Sequence, residues 1–284
     1  MSSMTPMTAE LRPRYIAAGW VPSGTAEGIE FWDSPDGYLT SFRSEAYGAG
    51  ASDRADRAFR SRISERFARY KTATSADWQI PDHWPRDQRR HAEQARRSMG
   101  GWLRPHIGHE RPGTIALAGD PGSGKTMMAV AMLRALVMAG ETSWEAWGVG
   151  EYMAARRASM FDDNHTGPDP FDACVNARVL LLDDLGAHSR TAWETEQLFA
   201  LVDRRYKRHS AGVLMLTTNA GAVGDAGFWR SLLSEKAETG PVVARLASRL
   251  AEGAVVVPFG HRDGDKWVPL PDWRRRARVV EAAE

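Results

Sequence analysis

Apolar residues fall into two rhythms along this chain, and from residue 113 onward the two alternate. Thr114-Ile-Ala-Leu-Ala118, Arg178-Val-Leu-Leu-Leu182 and Gly212-Val-Leu-Met-Leu216 are short runs with almost no polar interruption. A strand covered on both faces reads this way, because neither set of alternating side chains meets water. Two further strands are expected near 143–147 and 254–259. Between them, helical patterns occupy about 126–139, 150–160, 191–208 and 241–251. The first of these is apolar nearly all round, as a helix enclosed by other layers must be. The third opens on Thr191 and Glu194, a capping box. Strands alternating with helices predict an α/β fold, a parallel sheet between two helical layers.

The pattern ahead of residue 113 is different. Residues 1–50 mix Gly, Ser, Thr and Pro with aromatics such as Tyr15, Trp20, Phe31 and Trp32. That is too aromatic for a plain disordered tail and too broken for long helices, so a small irregular or helical module is expected. From Ala51 to Lys71 a charged helix is expected, with Phe59, Ile63, Phe67 and Tyr70 on one apolar stripe. Packing on the core is favoured over partner binding for that stripe. Thr72 to His109 reads as a proline-punctuated connector with a basic helix from Pro85 to about Met99. Three units follow: a partner-docking region at 1–75, a basic linker at 76–112 and a nucleotide-binding domain at 113–284.

The chemistry begins where the first strand ends. Gly119-Asp120-Pro121-Gly122-Ser123-Gly124-Lys125-Thr126 fits G-x-x-x-x-G-K-[ST] and joins an apolar strand to a helix. Glycines there let backbone N–H groups turn onto the β- and γ-phosphates of a nucleotide, and the helix N-terminus adds partial positive charge. Lys125 is placed to reach the terminal phosphates, and the Thr126 hydroxyl to bind Mg²⁺. The expected nucleotide contacts are those eight residues and Met127. Asp183 and Asp184 close the Val179–Leu182 run, at the strand end where open α/β sheets bind ligands. Asp183 is the expected metal carboxylate, and Asp184 the group that orients or deprotonates the attacking water. Standing alone, the two acids would read as a solvated turn. Asn219 ends the Gly212–Leu216 run through Thr217 and Thr218; beside a terminal phosphate its amide can position water. In isolation it would be a turn residue.

Composition narrows the class. The chain has 284 residues, is 43% hydrophobic and carries a net charge of +1, enough for one full core and a smaller appendage. Basic charge is concentrated locally, with thirteen Lys and Arg against six Asp and Glu between Arg54 and Arg104. Cys174 is the single cysteine, which excludes an intrachain disulfide and a thiolate zinc cluster and points to a reducing cytoplasm. No apolar stretch approaches the ~18 residues of a membrane span. Trp78, Trp84 and Trp102 are interleaved with arginines in the connector. They serve either as packing anchors or as platforms for nucleic-acid bases. The basic tail Trp273-Arg-Arg-Arg-Ala-Arg278 either touches phosphates or is a solvated end.

Taken in order, these motifs resemble an AAA+ ATPase of the DnaC/IstB type over roughly residues 75–262. The resemblance rests on the phosphate loop at 119–126, Val-Leu-Leu-Leu-Asp-Asp-Leu-Gly at 179–186, Leu-Val-Asp-Arg-Arg-Tyr at 201–206 and Thr-Thr-Asn at 217–219. It implies a three-layer P-loop NTPase sheet with a reduced lid, ATP and Mg²⁺ as ligands, and self-association through the ATP sites. Arg245-Leu-Ala-Ser-Arg249-Leu is similar to the family's arginine-bearing helix. The resemblance makes Arg249 first choice, and Arg245 second, for a finger reaching a neighbouring subunit's ATP. Four apart on one helix face, the two could equally be solvated surface charges. Phe259-Gly-His-Arg262 departs from the family's pattern after the last strand. The function implied is a replicative helicase loader that acts on a hexameric DNA helicase and single-stranded DNA. The alternative is an IstB-like transposition helper that binds duplex DNA and a transposase. A small-molecule P-loop kinase would need an arginine-bearing lid, and Phe161 to Asp172 reads as a plain polar loop.

Overall fold

The computed structural model describes residues 6–7, 11–17, 19–26, 29–33, 39–44, 50–107, 112–161, 167–186, 191–208, 212–219, 229, 240–264 and 266–272. The basic tail at 273–278 lies outside the described residues.

Five parallel strands form the central sheet. They are β5 (Gly113–Ala118), β6 (Trp144–Gly148), β7 (Val179–Leu185), β8 (Val213–Thr218) and β9 (Ala254–Pro258), in the spatial order β6-β7-β8-β5-β9. Each core strand divides its side chains between two apolar layers. Ile115, Leu117, Val179, Leu181, Val213 and Met215 face α4 (Lys125–Met138) and the helices that precede the sheet in sequence. Ala116, Ala118, Leu180, Leu182, Leu214 and Leu216 face the opposite layer. That layer contains α5 (Val149–Phe161), α6 (Pro170–Asn176), α7 (Ala192–Lys207) and α8 (Gly240–Ala251). Burial on both faces is why these strands have no polar alternation. The Thr191/Glu194 capping box opens α7 as expected. Among the described residues, no helix is long and apolar enough to cross a membrane.

The chain before the sheet is more ordered than its composition suggests. A four-stranded sheet contains β1 (Pro6–Met7), β2 (Val21–Ala26), β3 (Ile29–Asp33) and β4 (Leu39–Ser44), in the order β1-β4-β3-β2. Strands thus stand where an irregular or helical module was expected, and α1 (Leu11–Ala17) accompanies them. Two of the residues that read as breakers, Pro22 and Gly24, flank a bulge between β2 and β3. Trp32 is fully buried and packs against Tyr15 and Trp20. Its indole donates to Glu30, which also pairs with Arg12 at 2.6 Å.

The apolar stripe of residues 59–70 packs on the core. Phe59, Ile63 and Phe67 are buried in the α4 layer, and the Phe59 ring lies 5.2 Å from Trp144. The helix itself is shorter than its periodicity predicts. α2 (Gly50–Arg62) stops before Ser64, whose backbone is extended, and a separate 3-10 turn follows at Glu65–Tyr70. Arg134 of α4 pairs with Asp56 of α2 at 2.8 Å, which fixes the two helices together. The basic helix α3 (Arg86–Leu103) runs past Gly100 and Gly101, because Met99, Trp102 and Leu103 are buried beyond the expected stop. That burial outweighs the roughly 1 kcal/mol a helical glycine costs. Trp78, Trp84 and Trp102 are all buried, so they are packing anchors.

From the core onward, one helix and one hairpin were missed in the sequence. α6 begins inside the segment read as a loop, with Asp169 accepting from Phe171 N at 2.9 Å and Pro170 in the first turn. A hairpin of β10 (Gly260–Asp263) and β11 (Lys266–Pro269) follows the last core strand.

Candidate functional site

The carboxyl ends of β5, β7 and β8 meet at one cleft of about 380 Å³. Pro121, Gly122, Gly124, Lys125, Thr126, Met127, Asp183, Asp184 and Asn219 line it. The loop between β5 and α4 has positive φ at Gly119, Gly122 and Gly124, and at the first and last of these a side chain would also collide. Gly119 has φ +152°, and a Cβ there would sit 2.8 Å from the backbone of Phe259. Gly124 has φ +98°, and a Cβ would sit 2.7 Å from Trp78 Nε1. The Trp78 indole donates to Ser123 O at 3.1 Å, so the connector braces the loop from beneath. Ser123 Oγ donates to Asp120 O at 2.9 Å. The Asp120 carboxylate accepts from Trp267 Nε1 of β11 at 3.1 Å, which ties the loop to the hairpin. Gly119, Asp120 and Ser123 therefore shape the loop, while the remaining expected contacts line the cleft.

This cradle fits a polyphosphate. Gly124 occupies the N-cap of α4 and no side chain caps the first turn, so the helix amides there face the cleft uncapped by any side chain. Lys125 is buried and its ammonium donates to Asp120 O at 2.7 Å, within the same loop.

The acidic side of the cleft is one hydrogen-bonded chain. Asp183 is 2% exposed. Its Oδ1 accepts from Thr126 Oγ1 at 2.8 Å and from Thr217 Oγ1 at 2.6 Å. The Thr217 hydroxyl in turn accepts from Asp184 N at 2.9 Å, and Asn219 Nδ2 donates to Asp184 Oδ1 at 2.8 Å. Asp184 has φ +67°, a left-handed backbone that residues other than glycine seldom adopt. The register between β7 and β8 shifts between Leu182 and Leu185 at the same place. This bulge turns two successive carboxylates toward the cleft, where a regular strand would send them to opposite faces. A hydroxyl and a buried carboxylate in contact are a hard-oxygen donor pair of the kind that Mg²⁺ takes beside phosphates. The residues present therefore fit Mg·ATP.

The arginines that resemble a finger lie elsewhere. Arg249 pairs with Asp203 of α7 and its guanidinium lies over the rings of Phe199 and Tyr206 at 5.2 and 5.3 Å. Arg245 lies 5.0 Å over Phe199. Neither is among the described residues that line the cleft of their own chain. The Asp203 carboxyl is held below the usual carboxylate range by the hydrogen bond from Lys207 and by the charge of Arg249.

Sequence reasoning missed three contributors. Thr217 was read only as part of a motif, although it joins Asp183 to the backbone of Asp184. Trp267 braces Asp120 from a hairpin that had no sequence signal. Arg66, on the 3-10 turn, also lines the cleft, and its guanidinium donates to Asp183 Oδ2. By contrast Arg205, in the Asp-Arg-Arg-Tyr motif, is structural. It donates to the carbonyls of Cys174, Ala177 and Val213, and burial pushes its pKa down to about 10.

Comparison with known proteins gives the same picture. The model of the IstB-like ATP binding protein family matches residues 108–251, just over half of the chain. A Sinorhizobium fredii protein named as an insertion-sequence ATP-binding protein is 32% identical over 138 residues, covering 46% of this chain and 41% of that protein. The YqaM protein of Bacillus subtilis is 32% identical over 105 residues, covering 35% of this chain and 32% of its own length. The matches thus span less than half of either curated relative. Among solved structures, that of DnaI aligns with a TM-score of 0.52 at 18% identity, over 69% of this chain and 94% of that one. This last likeness is one of fold.

Proposed function

Because the chain belongs to the IstB-like ATP-binding family, we propose that it binds and hydrolyses ATP in this cleft and uses the cycle to act on DNA together with a protein partner. The observation that carries the ATPase reading is the hydrogen-bonded chain from Thr126 through Asp183, Thr217 and Asp184 to Asn219. It links the phosphate loop to the ends of two neighbouring strands. Thr126 and Asp183 would hold a divalent cation, which would supply charge neutralisation on the terminal phosphates. Lys125 adds a second cation there, once its ammonium leaves the Asp120 carbonyl. Asp184 accepts the proton of the attacking water, and Asn219 holds the Asp184 carboxylate in the orientation that task requires.

In the same reading, Arg249 and, secondarily, Arg245 serve a neighbouring subunit's nucleotide, so that hydrolysis depends on assembly. Arg249 has to leave Asp203 to do so. The assembly works in the cytoplasm as a loader of a hexameric replicative helicase onto single-stranded DNA. A folded unit of strands ahead of the core, separate from the stripe that packs on α4, supports a docking role for the first fifty residues. A second reading, a transposition helper that binds duplex DNA and a transposase, is supported by the name of the Sinorhizobium relative.

One experiment separates them. The tagged chain is retained on a column with lysate of its own cell, and the retained partner is identified with and without ATP. A replicative helicase supports the loader; a transposase supports the second reading; a metabolic enzyme contradicts both.

A further inference from the structure

Arg66 lies outside every motif that marks the nucleotide site and outside the matched segment 108–251. Its guanidinium is nevertheless inside the cleft. Nε and Nη2 donate to Asp183 Oδ2 at 3.1 and 3.0 Å, and Nη2 lies 3.7 Å from Asp184 Oδ2. The other carboxylate oxygen, Oδ1, is occupied by Thr126 and Thr217. A carboxylate that is almost fully buried needs a counter-charge, and Arg66 supplies one at the oxygen the threonines leave.

The position is built from both sides. Phe67, next to Arg66 along the chain, and Ile63, three residues before it, are buried in the α4 layer. Arg62 donates to the carbonyls of Thr142 and Trp144, which fastens the end of α2 to the edge strand β6. Arg66 also lies against Gly148 at the end of β6, where a Cβ would meet Arg66 Nε at 2.6 Å. Any other residue at Gly148 would push the arginine away from Asp183.

We propose that Arg66 is a built-in counter-ion that competes with the divalent cation of Mg·ATP for Asp183, so that nucleotide binding and release of the 65–70 turn are linked. The inference rests on the reading of Asp183 as the metal-holding carboxylate. A cation and a guanidinium cannot both neutralise the one Asp183 carboxylate at full strength, so each would weaken the other's hold. By reciprocity, a partner that draws the 65–70 turn off the cleft would tighten Mg·ATP binding by the same factor that Mg·ATP loosens the turn. Couplings between sites run from about 5-fold to 150-fold. A third of the Arg66 side chain is exposed, which places this pair near the low end, at about 5-fold to 10-fold.

The test uses the full chain and a fluorescent ATP analogue titrated with Mg²⁺. R66Q keeps a polar side chain and removes the charge, and R66K keeps the charge in a less exact geometry. The expected result is that R66Q lowers the Mg²⁺ concentration for half-maximal binding about 5-fold to 10-fold, with R66K in between. An unchanged midpoint, or one shifted to higher Mg²⁺, overturns the inference, the latter because it would make Arg66 a phosphate contact. A second readout needs no variant. Amide exchange in residues 65–71 of the parent should quicken with Mg·ATP and stay unchanged with ATP in EDTA. Unchanged or slower exchange with Mg·ATP overturns the linkage. A parent that binds no nucleotide at any Mg²⁺ concentration refutes the ATP-site reading itself, and the inference falls with it.

Discussion

Thr217→Val probes the acidic chain at its least expected link. Valine nearly matches threonine in shape, so the packing of a residue only 1% exposed is almost preserved. What goes is the hydroxyl that donates to Asp183 Oδ1 at 2.6 Å and accepts from Asp184 N at 2.9 Å. A hydrogen bond to a charged group contributes about 1.5–3 kcal/mol, and a buried donor left without a partner costs about 1–3 kcal/mol. Asp183 retains Thr126 and Arg66 as partners, so the combined loss belongs near the lower ends, at about 3 kcal/mol. For a chain of this size that lowers Tm by about 5–10 °C. The Asp184 carboxylate also loses the anchor of its left-handed backbone, so ATP hydrolysis should fall about 10-fold or more, the scale of a displaced base. Calorimetry and phosphate release on Thr217→Val and Thr217→Ser measure both, with serine close to the parent. A valine variant as stable and as active as the parent would refute the argument that this hydroxyl organises the site.

Reversal of the exposed Arg86, Arg90 and Arg97 of α3 to Glu should weaken any single-stranded DNA binding and flatten its dependence on salt, since each lost phosphate contact removes about one unit of slope. Arg96 is left intact in that variant because it donates to Trp78 O and supports the brace under the phosphate loop; unchanged affinity would move the DNA surface off α3. Arg249→Ala should leave ATP affinity of the isolated subunit nearly intact while it lowers assembly-dependent hydrolysis about a thousandfold. Mixing that variant with Lys125→Ala should restore part of the activity, and a flat mixing curve from co-assembled subunits would contradict a finger acting in trans.

The core was legible in the sequence because burial on both faces leaves an unmistakable mark. Val179–Leu182 and Val213–Leu216 carry no polar alternation, and both are core strands; β8 lies within two residues of the expected bounds, while β7 runs three residues further, through the two acids to Leu185. The phosphate loop was legible because its glycines are demanded by backbone geometry that side chains cannot adopt. Asp183, Asp184 and Asn219 were found as residues, but the bulge that turns both acids inward was not, since register between strands has no local signal. Arg66 and Trp267 reach the site across 117 and 147 positions of chain, and no periodicity records such contacts. α6 could have been read from Asp169-Pro170, an N-cap followed by proline in the first turn. The first fifty residues misled because Gly and Pro at a bulge look the same in sequence as Gly and Pro in a loop.

The central claim is that this cleft hydrolyses ATP with Asp184 as the base, and Asp184→Asn tests it most directly. The substitution keeps the size of the side chain and spares the bonds that Thr126, Thr217 and Arg66 make to Asp183. Phosphate release and Mg·ATP affinity are measured together on the variant and the parent. The account predicts affinity within a few-fold of the parent and hydrolysis slower by about a hundredfold or more, the scale of a removed general base. Equal rates of phosphate release in the two proteins would contradict it.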